Sequence, residues 1–151
     1  MSSAKMLDRS SSSSTLDVDK LQLPMFETHL SRENRSYEWR VQQLQTLLRM
    51  IEKCRGAFES AISKDLGREL TEAATAEIAP CETEIRYLIA NLKRFMSPKT
   101  VSAPGFMFPC VATVESVPLQ SPGVLIIGPS NYPFHLIVRP LAGALAGGNP
   151  T

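Results

Sequence analysis

Residues 123–148 constrain the fold more than any other part of the chain. Val124-Leu125-Ile126-Ile127 is a continuous apolar run, bounded by Gly123 and by Gly128-Pro129-Ser130-Asn131. Such a run between turn residues predicts a strand buried on both faces, as in a parallel sheet. After Tyr132-Pro133-Phe134 the period becomes helical, with Leu136, Ile137, Leu141, Ala144 and Leu145. Ala142, Gly143, Ala146, Gly147 and Gly148 make this helix narrow enough to lie close to a sheet, and Pro140 is expected to bend it. The fold class is α/β, with a strand over 123–128, a turn, and a helix over 133–147. A parallel strand needs neighbours, and an unpaired apolar edge is avoided in natural proteins. No further strand pattern follows, so the expectation is the opening part of a larger α/β protein, truncated after its first strand–turn–helix unit.

Upstream the pattern is mostly helical, with helices expected over 35–96. Tyr37, Val41, Leu44, Leu48 and Ile51 recur at spacings of three and four, with Ser31 or Asn34 as candidate caps. Gly56 is read as an interruption, and Gly67 as a left-handed helix stop. Ile78, Cys81, Ile85, Leu88, Leu92 and Phe95 then fall on one helical face. Pro80 either starts that helix or kinks it. Ser97–Pro109 reads as loop, and the β-branched residues of Val111–Val117 read as a strand, within a hairpin segment at 110–120. Residues 1–30, with a serine run at Ser10–Ser14, read as a disordered tail. Asp8, Asp17 and Asp19 argue against a transit peptide there. The remaining domain is 31–151.

Composition excludes several function classes. No apolar run approaches the ~20 residues that span a bilayer. The net charge of +1, from 16 basic and 15 acidic residues, offers no electrostatic basis for nucleic-acid binding. Cys54, Cys81 and Cys110 form no CxxC, so no metal site is expected, and a reduced, cytoplasmic setting is the default. Cys54 and Cys81 fall on apolar helical stripes and read as small buried hydrophobes. His29 and His135 read as solvent or packing histidines rather than catalysts.

The candidate site is the turn Gly128–Phe134. In open α/β sheets, ligands bind beyond the carboxyl ends of strands, near helix N-termini. Asn131 sits there with two readings open. Its amide N–H groups suit a developing oxyanion, or its side chain caps the following helix.

Pro122-Gly123-Val124, Ile126 through Phe134, Pro140-Leu141 and Ala146-Gly147-Gly148-Asn149 together resemble the aldehyde dehydrogenase family. Arg40 through Leu44, Ala61 through Gly67, Glu77-Ile78, Glu84-Ile85 and Asn91-Leu92 resemble its fatty-aldehyde (class 3) branch, so the similarity runs from about Arg32 to Asn149. The resemblance implies the start of a variant Rossmann-like cofactor domain and oxidation of aldehydes to acids with NAD or NADP. It implies oxyanion binding by Asn131, a cofactor wall at Ile127, Gly128, Pro129 and Ser130, and substrate contact by Tyr132. The segment around Cys110–Gln120 would match an oligomerisation hairpin, which allows a homo- or heterodimer. Members anchored to membranes use a C-terminal tail. Ser130 stands where the family usually has a bulkier residue, and the family's nucleophilic cysteine, glutamate base and Lys-Pro-Ser-Glu segment have no counterpart here. The chain alone is therefore expected not to oxidise aldehydes. The alternative is a non-catalytic interaction protein that pairs with a full-length homologue.

Overall fold

The computed structural model describes residues 18–119 and 123–151. Three long helical elements pack against one another. They are α2 (Tyr37–Leu66), a continuous helical run over residues 70–96, and α5 (His135–Ala146). The run comprises α3 (Leu70–Glu72), a π-helical stretch at Ala73–Ile78, and α4 (Ala79–Met96). Their shared core contains Leu44 and Ile51 from α2, Ile78, Cys81, Ile85 and Leu92 from the run, and Val138 and Ala142 from α5. Phe58 of α2 stacks against Phe134 with ring centroids 4.8 Å apart, closing the core at the entrance to α5.

Local chemistry sets most helix ends. The Ser36 hydroxyl accepts from the Trp39 N–H at 3.1 Å and caps α2, in place of Ser31 or Asn34. Ser31 ends α1, whereas Asn34 is buried and donates to the Gly148 carbonyl at 2.6 Å. Gly67 closes α2 in the left-handed region, at φ 67°. Gly56 does not interrupt α2, because a helical glycine costs only about 0.5–1 kcal/mol and this helix packs on both sides of it.

Helix α4 starts at Ala79 with Pro80 in its first turn, as expected, and continues directly from the π stretch. The preceding turns widen to the π form, with the Ala79 N–H reaching back to the Ala74 carbonyl. Proline has no N–H to donate, which leaves the Ala76 carbonyl without its usual partner four residues on. His135 takes that carbonyl instead (below).

Three other expectations are corrected. Helix α1 (Val18–Ser31) occupies the second half of the segment expected to be disordered, and Met1–Asp17 lie outside the described residues. Its Met25 side chain lies against Gly123, where a Cβ would come within 2.5 Å of Met25 Sδ. That contact spans the chain and has no local sequence signal. The loop expected at Ser97–Pro109 contains strand β1 (Lys99–Val101), antiparallel to β2 (Ala112–Val114), with Thr100 opposite Thr113. The strand expected over Val111–Val117 is limited to those three residues. Gln120, Ser121 and Pro122, within the expected hairpin, lie outside the described residues.

The third correction concerns residues 123–128, which form no strand among the described residues. The Val124 N–H donates to the Pro150 carbonyl at 2.9 Å, but no ladder continues from it. Side chains alternate as in extended backbone. Val124, Ile126 and Gly128 are half-buried, while Leu125 and Ile127 are 83% and 85% exposed. No neighbouring strand among the described residues covers the outer face, so burial on both faces is not realised.

A buried arginine fixes the chain after α5. Arg40, 4% exposed, donates from Nε to the Asn34 carbonyl at 3.0 Å and from Nη1 to the Ala146 carbonyl at 3.2 Å. Its burial pulls the guanidinium below its usual pKa range. Gly148, at φ 77°, passes so close that a Cβ would come within 2.5 Å of the Asn34 carbonyl.

Candidate functional site

The turn Gly128–Phe134 lies between the extended segment and α5. Gly128 admits no side chain, since a Cβ there would overlap the Cγ1 of Ile137. The opening N–H groups of α5 need acceptors. Phe134 stands at the N-cap position and supplies no side-chain acceptor. A carboxylate from the π stretch supplies one. Glu77 Oε2 accepts from the Phe134 N–H at 2.9 Å and from the His135 N–H at 3.4 Å. Asn131 is therefore not the cap of this helix.

Glu77 is fully buried, so its charge needs compensation. Arg68, in the link between α2 and α3, donates from Nη1 to Glu77 Oε1 at 2.8 Å. The other tip of the same guanidinium, Nη2, donates to the Asn131 backbone carbonyl at 2.7 Å. Its planar face lies 4.2 Å from the centroid of the Tyr132 ring. One cation thus neutralises the cap, ties down the backbone of Asn131 and covers Tyr132.

The Asn131 side chain takes no part in these hydrogen bonds. It is exposed, and among the described residues its amide has no hydrogen-bond partner. Its two N–H donors are available to a ligand. Ile127, Pro129 and Ser130 are also exposed and Gly128 is half-buried, so the residues expected to line a cofactor run along one edge beside Asn131. Tyr132 is half-buried, edge-on to the His135 ring at 6.3 Å. A surface cleft of about 610 Å³ opens alongside and is lined by Phe58, Lys64, Pro133 and Phe134.

The nearby titratable groups are committed to structure. His135 Nδ1 lies 3.0 Å from the Ala76 carbonyl, which only accepts, so Nδ1 carries the proton. Its Nε2 accepts from Arg139 at 3.0 Å, and Arg139 also pairs with Glu84 at 3.1 Å. Cys81 is completely buried, its Sγ 3.0 Å from the Glu77 carbonyl. Burial pushes its thiol up to about 12, so it is no thiolate nucleophile at neutral pH. Cys54 is half-buried and Cys110 exposed. Iodoacetamide labelling followed by peptide mass spectrometry should therefore modify Cys110 first and leave Cys81 unmodified until the chain unfolds. Early labelling of Cys81 would contradict the packing described. Among the described residues, no three His, Cys, Asp or Glu side chains are placed to hold a metal ion, and no helix is long and apolar enough to cross a membrane.

Glu77 and Arg68 are the residues that sequence reasoning missed as site residues. They are nine positions apart, and Glu77 lies 57 from the amide it caps. The available signal was an acid beside Ile78 on an otherwise apolar helical face.

Comparison with known proteins bears on the family and the overall fold. The family model described as "Aldehyde dehydrogenase family" matches residues 9–151. Aldehyde dehydrogenase family 3 member I1, chloroplastic, of Arabidopsis thaliana is 40% identical over 119 residues, covering 79% of this chain and 21% of that protein. Aldehyde dehydrogenase family 3 comG of Dictyostelium discoideum is 32% identical over 139 residues, 92% of this chain and 29% of that protein. A solved structure, the substrate-bound state of Staphylococcus aureus AldH, superposes with a TM-score of 0.82 at 30% identity, over 87% of this chain and 28% of that one. The chain thus spans between about a fifth and three tenths of the length of these relatives.

Proposed function

Since the chain belongs to the aldehyde dehydrogenase family, we propose that it supplies the oxyanion-binding arm of an aldehyde-oxidising site. The carrying observation is the Asn131 amide, exposed and without a hydrogen-bond partner among the described residues, on a turn whose backbone is held by Arg68. When a nucleophile adds to an aldehyde carbon, negative charge develops on the carbonyl oxygen. A donor fixed in advance stabilises that charge without having to reorganise. Tyr132, next in the chain, is the proposed substrate contact, consistent with a branch that takes fatty aldehydes.

Apart from half-buried Gly128, the edge Ile127–Ser130 is exposed and mainly apolar, which fits one wall of an NAD or NADP site. The bound nicotinamide would supply the hydride acceptor. Ile127 and Pro129 would contact it, and Gly128 would let the backbone stay close to α5. Cys81, buried and held protonated, is not the attacking thiolate. The nucleophile and base are proposed to come from the part of the family's length that this chain does not span.

Two measurements test this function. Residues 32–149 are exchanged for the matching segment of Staphylococcus aureus AldH, and NAD(P)H formation is followed with a fatty aldehyde. The graft is expected to turn over, whereas the 151-residue polypeptide alone forms no NAD(P)H. A graft that folds yet gives no aldehyde-dependent turnover overturns the proposal, as does turnover by the 151-residue polypeptide.

A further inference from the structure

Resting on the assignment of Asn131 as oxyanion donor, we infer that Glu77 and Arg68 are positioning residues for this site, a buried cap and a two-pronged pin that together hold the Asn131 turn against α5. The cap acts from another element. Glu77 brings its carboxylate to the N-terminus of a 12-residue helix, where the peptide dipoles favour an anionic acceptor, and receives two backbone N–H groups. The π stretch delivers this carboxylate, and the same stretch offers the Ala76 carbonyl to the His135 ring. The first turn of α5 is therefore anchored through both its backbone and a side chain.

The pin depends on guanidinium geometry. Nη1 meets Glu77 at 2.8 Å and Nη2 meets the Asn131 carbonyl at 2.7 Å. Two oxygens on different elements are bridged by one rigid plane, which also lies over Tyr132. A lysine presents a single ammonium on a flexible stem and does not reproduce that fork. Neither Glu77 nor Arg68 needs to touch substrate. Their effect passes through the Asn131 backbone and leaves its exposed side chain out of the hydrogen bonds.

Hydrogen exchange on the 151-residue protein, resolved by residue, tests the cap. In Glu77→Gln the Phe134 and His135 amides should exchange about tenfold faster, because a charge-assisted bond becomes a neutral one. Val138, whose N–H donates to the Phe134 carbonyl at 2.9 Å, serves as the unchanged control.

The pin is tested in the Staphylococcus aureus graft. Arg68→Met should lower kcat about tenfold with KM held within about twofold. Arg68→Lys should fail to restore kcat. Arg68→Met combined with Asn131→Ala should lose no more than Asn131→Ala alone, since both act through one donor. Unchanged exchange in folded Glu77→Gln, rescue by Arg68→Lys, or losses that multiply in the double variant would overturn the inference. An Asn131→Ala graft with full kcat would instead remove the oxyanion assignment, and the exchange result would stand or fall independently of it. Circular dichroism of each variant separates a shifted turn from an unfolded chain.

Discussion

In the graft, Asn131→Ala lowers kcat by about 10²–10³ while leaving KM and the fold nearly unchanged. The expected size follows from the chemistry: an amide N–H bonds weakly to a neutral carbonyl and strongly to an oxyanion, so its loss falls on the transition state. It corresponds to about 2.7–4 kcal/mol, the range for removing one donor from an oxyanion hole. The separation from stability follows from the structure. Asn131 is exposed, does not cap α5, and forms no side-chain hydrogen bond among the described residues. Truncation at such a position shifts folding free energy by no more than about 0.5 kcal/mol. Steady-state kinetics and a melting curve on the same preparation decide the matter. A kcat within threefold of the parent, or a large loss of stability, would show that the side chain serves the fold instead.

Glu77→Leu should have the largest effect on stability, about 3 kcal/mol, as expected when one partner of a buried ion pair is removed. The replacement is apolar and of similar volume, so the loss is electrostatic rather than a cavity. The Phe134 and His135 N–H groups lose their acceptor, and Arg68 loses its short bond to Glu77. The estimate sits at the low end of the usual 3–5 kcal/mol range because Arg68 keeps some exposure and a second, looser contact with Glu72 at 3.5 Å. Adding Arg68→Met should recover part of the loss by removing the stranded cation. Urea unfolding of the 151-residue protein, with equal m-values, provides the measurement. A midpoint shift equivalent to less than about 1 kcal/mol, or strictly additive losses, would count against this role.

The helices were legible wherever their signals are local. Spacings of three and four place Leu44, Ile51, Ile85 and Leu92 in the core, as the pattern predicts. Gly67 ends α2 and Ser97 follows the end of α4, both at positions that turn chemistry marks. The misses have physical causes. Helix α1 shows little amphipathic pattern and leans on Gly123, about a hundred residues away. Strand β1 is three residues long in a segment dense with proline and glycine, where pairing with β2 outweighs local propensity. The apolar run Val124–Ile127 has strand character, but a strand is a relation between segments, and no partner lies among the described residues.

At the candidate site the division is sharper. The sequence alone located the turn, singled out Asn131 and carried the family resemblance, because these reside in contiguous residues whose types and order are specific. It left open whether Asn131 caps the helix or faces a ligand. Only the tertiary structure removed the cap reading, by bringing Glu77 under the first turn of α5 and Arg68 onto the Asn131 carbonyl. A helix N-terminus accepts any well-placed acceptor, near or far in sequence. Which one it receives depends on how three helices pack, and no window of neighbouring residues contains that information.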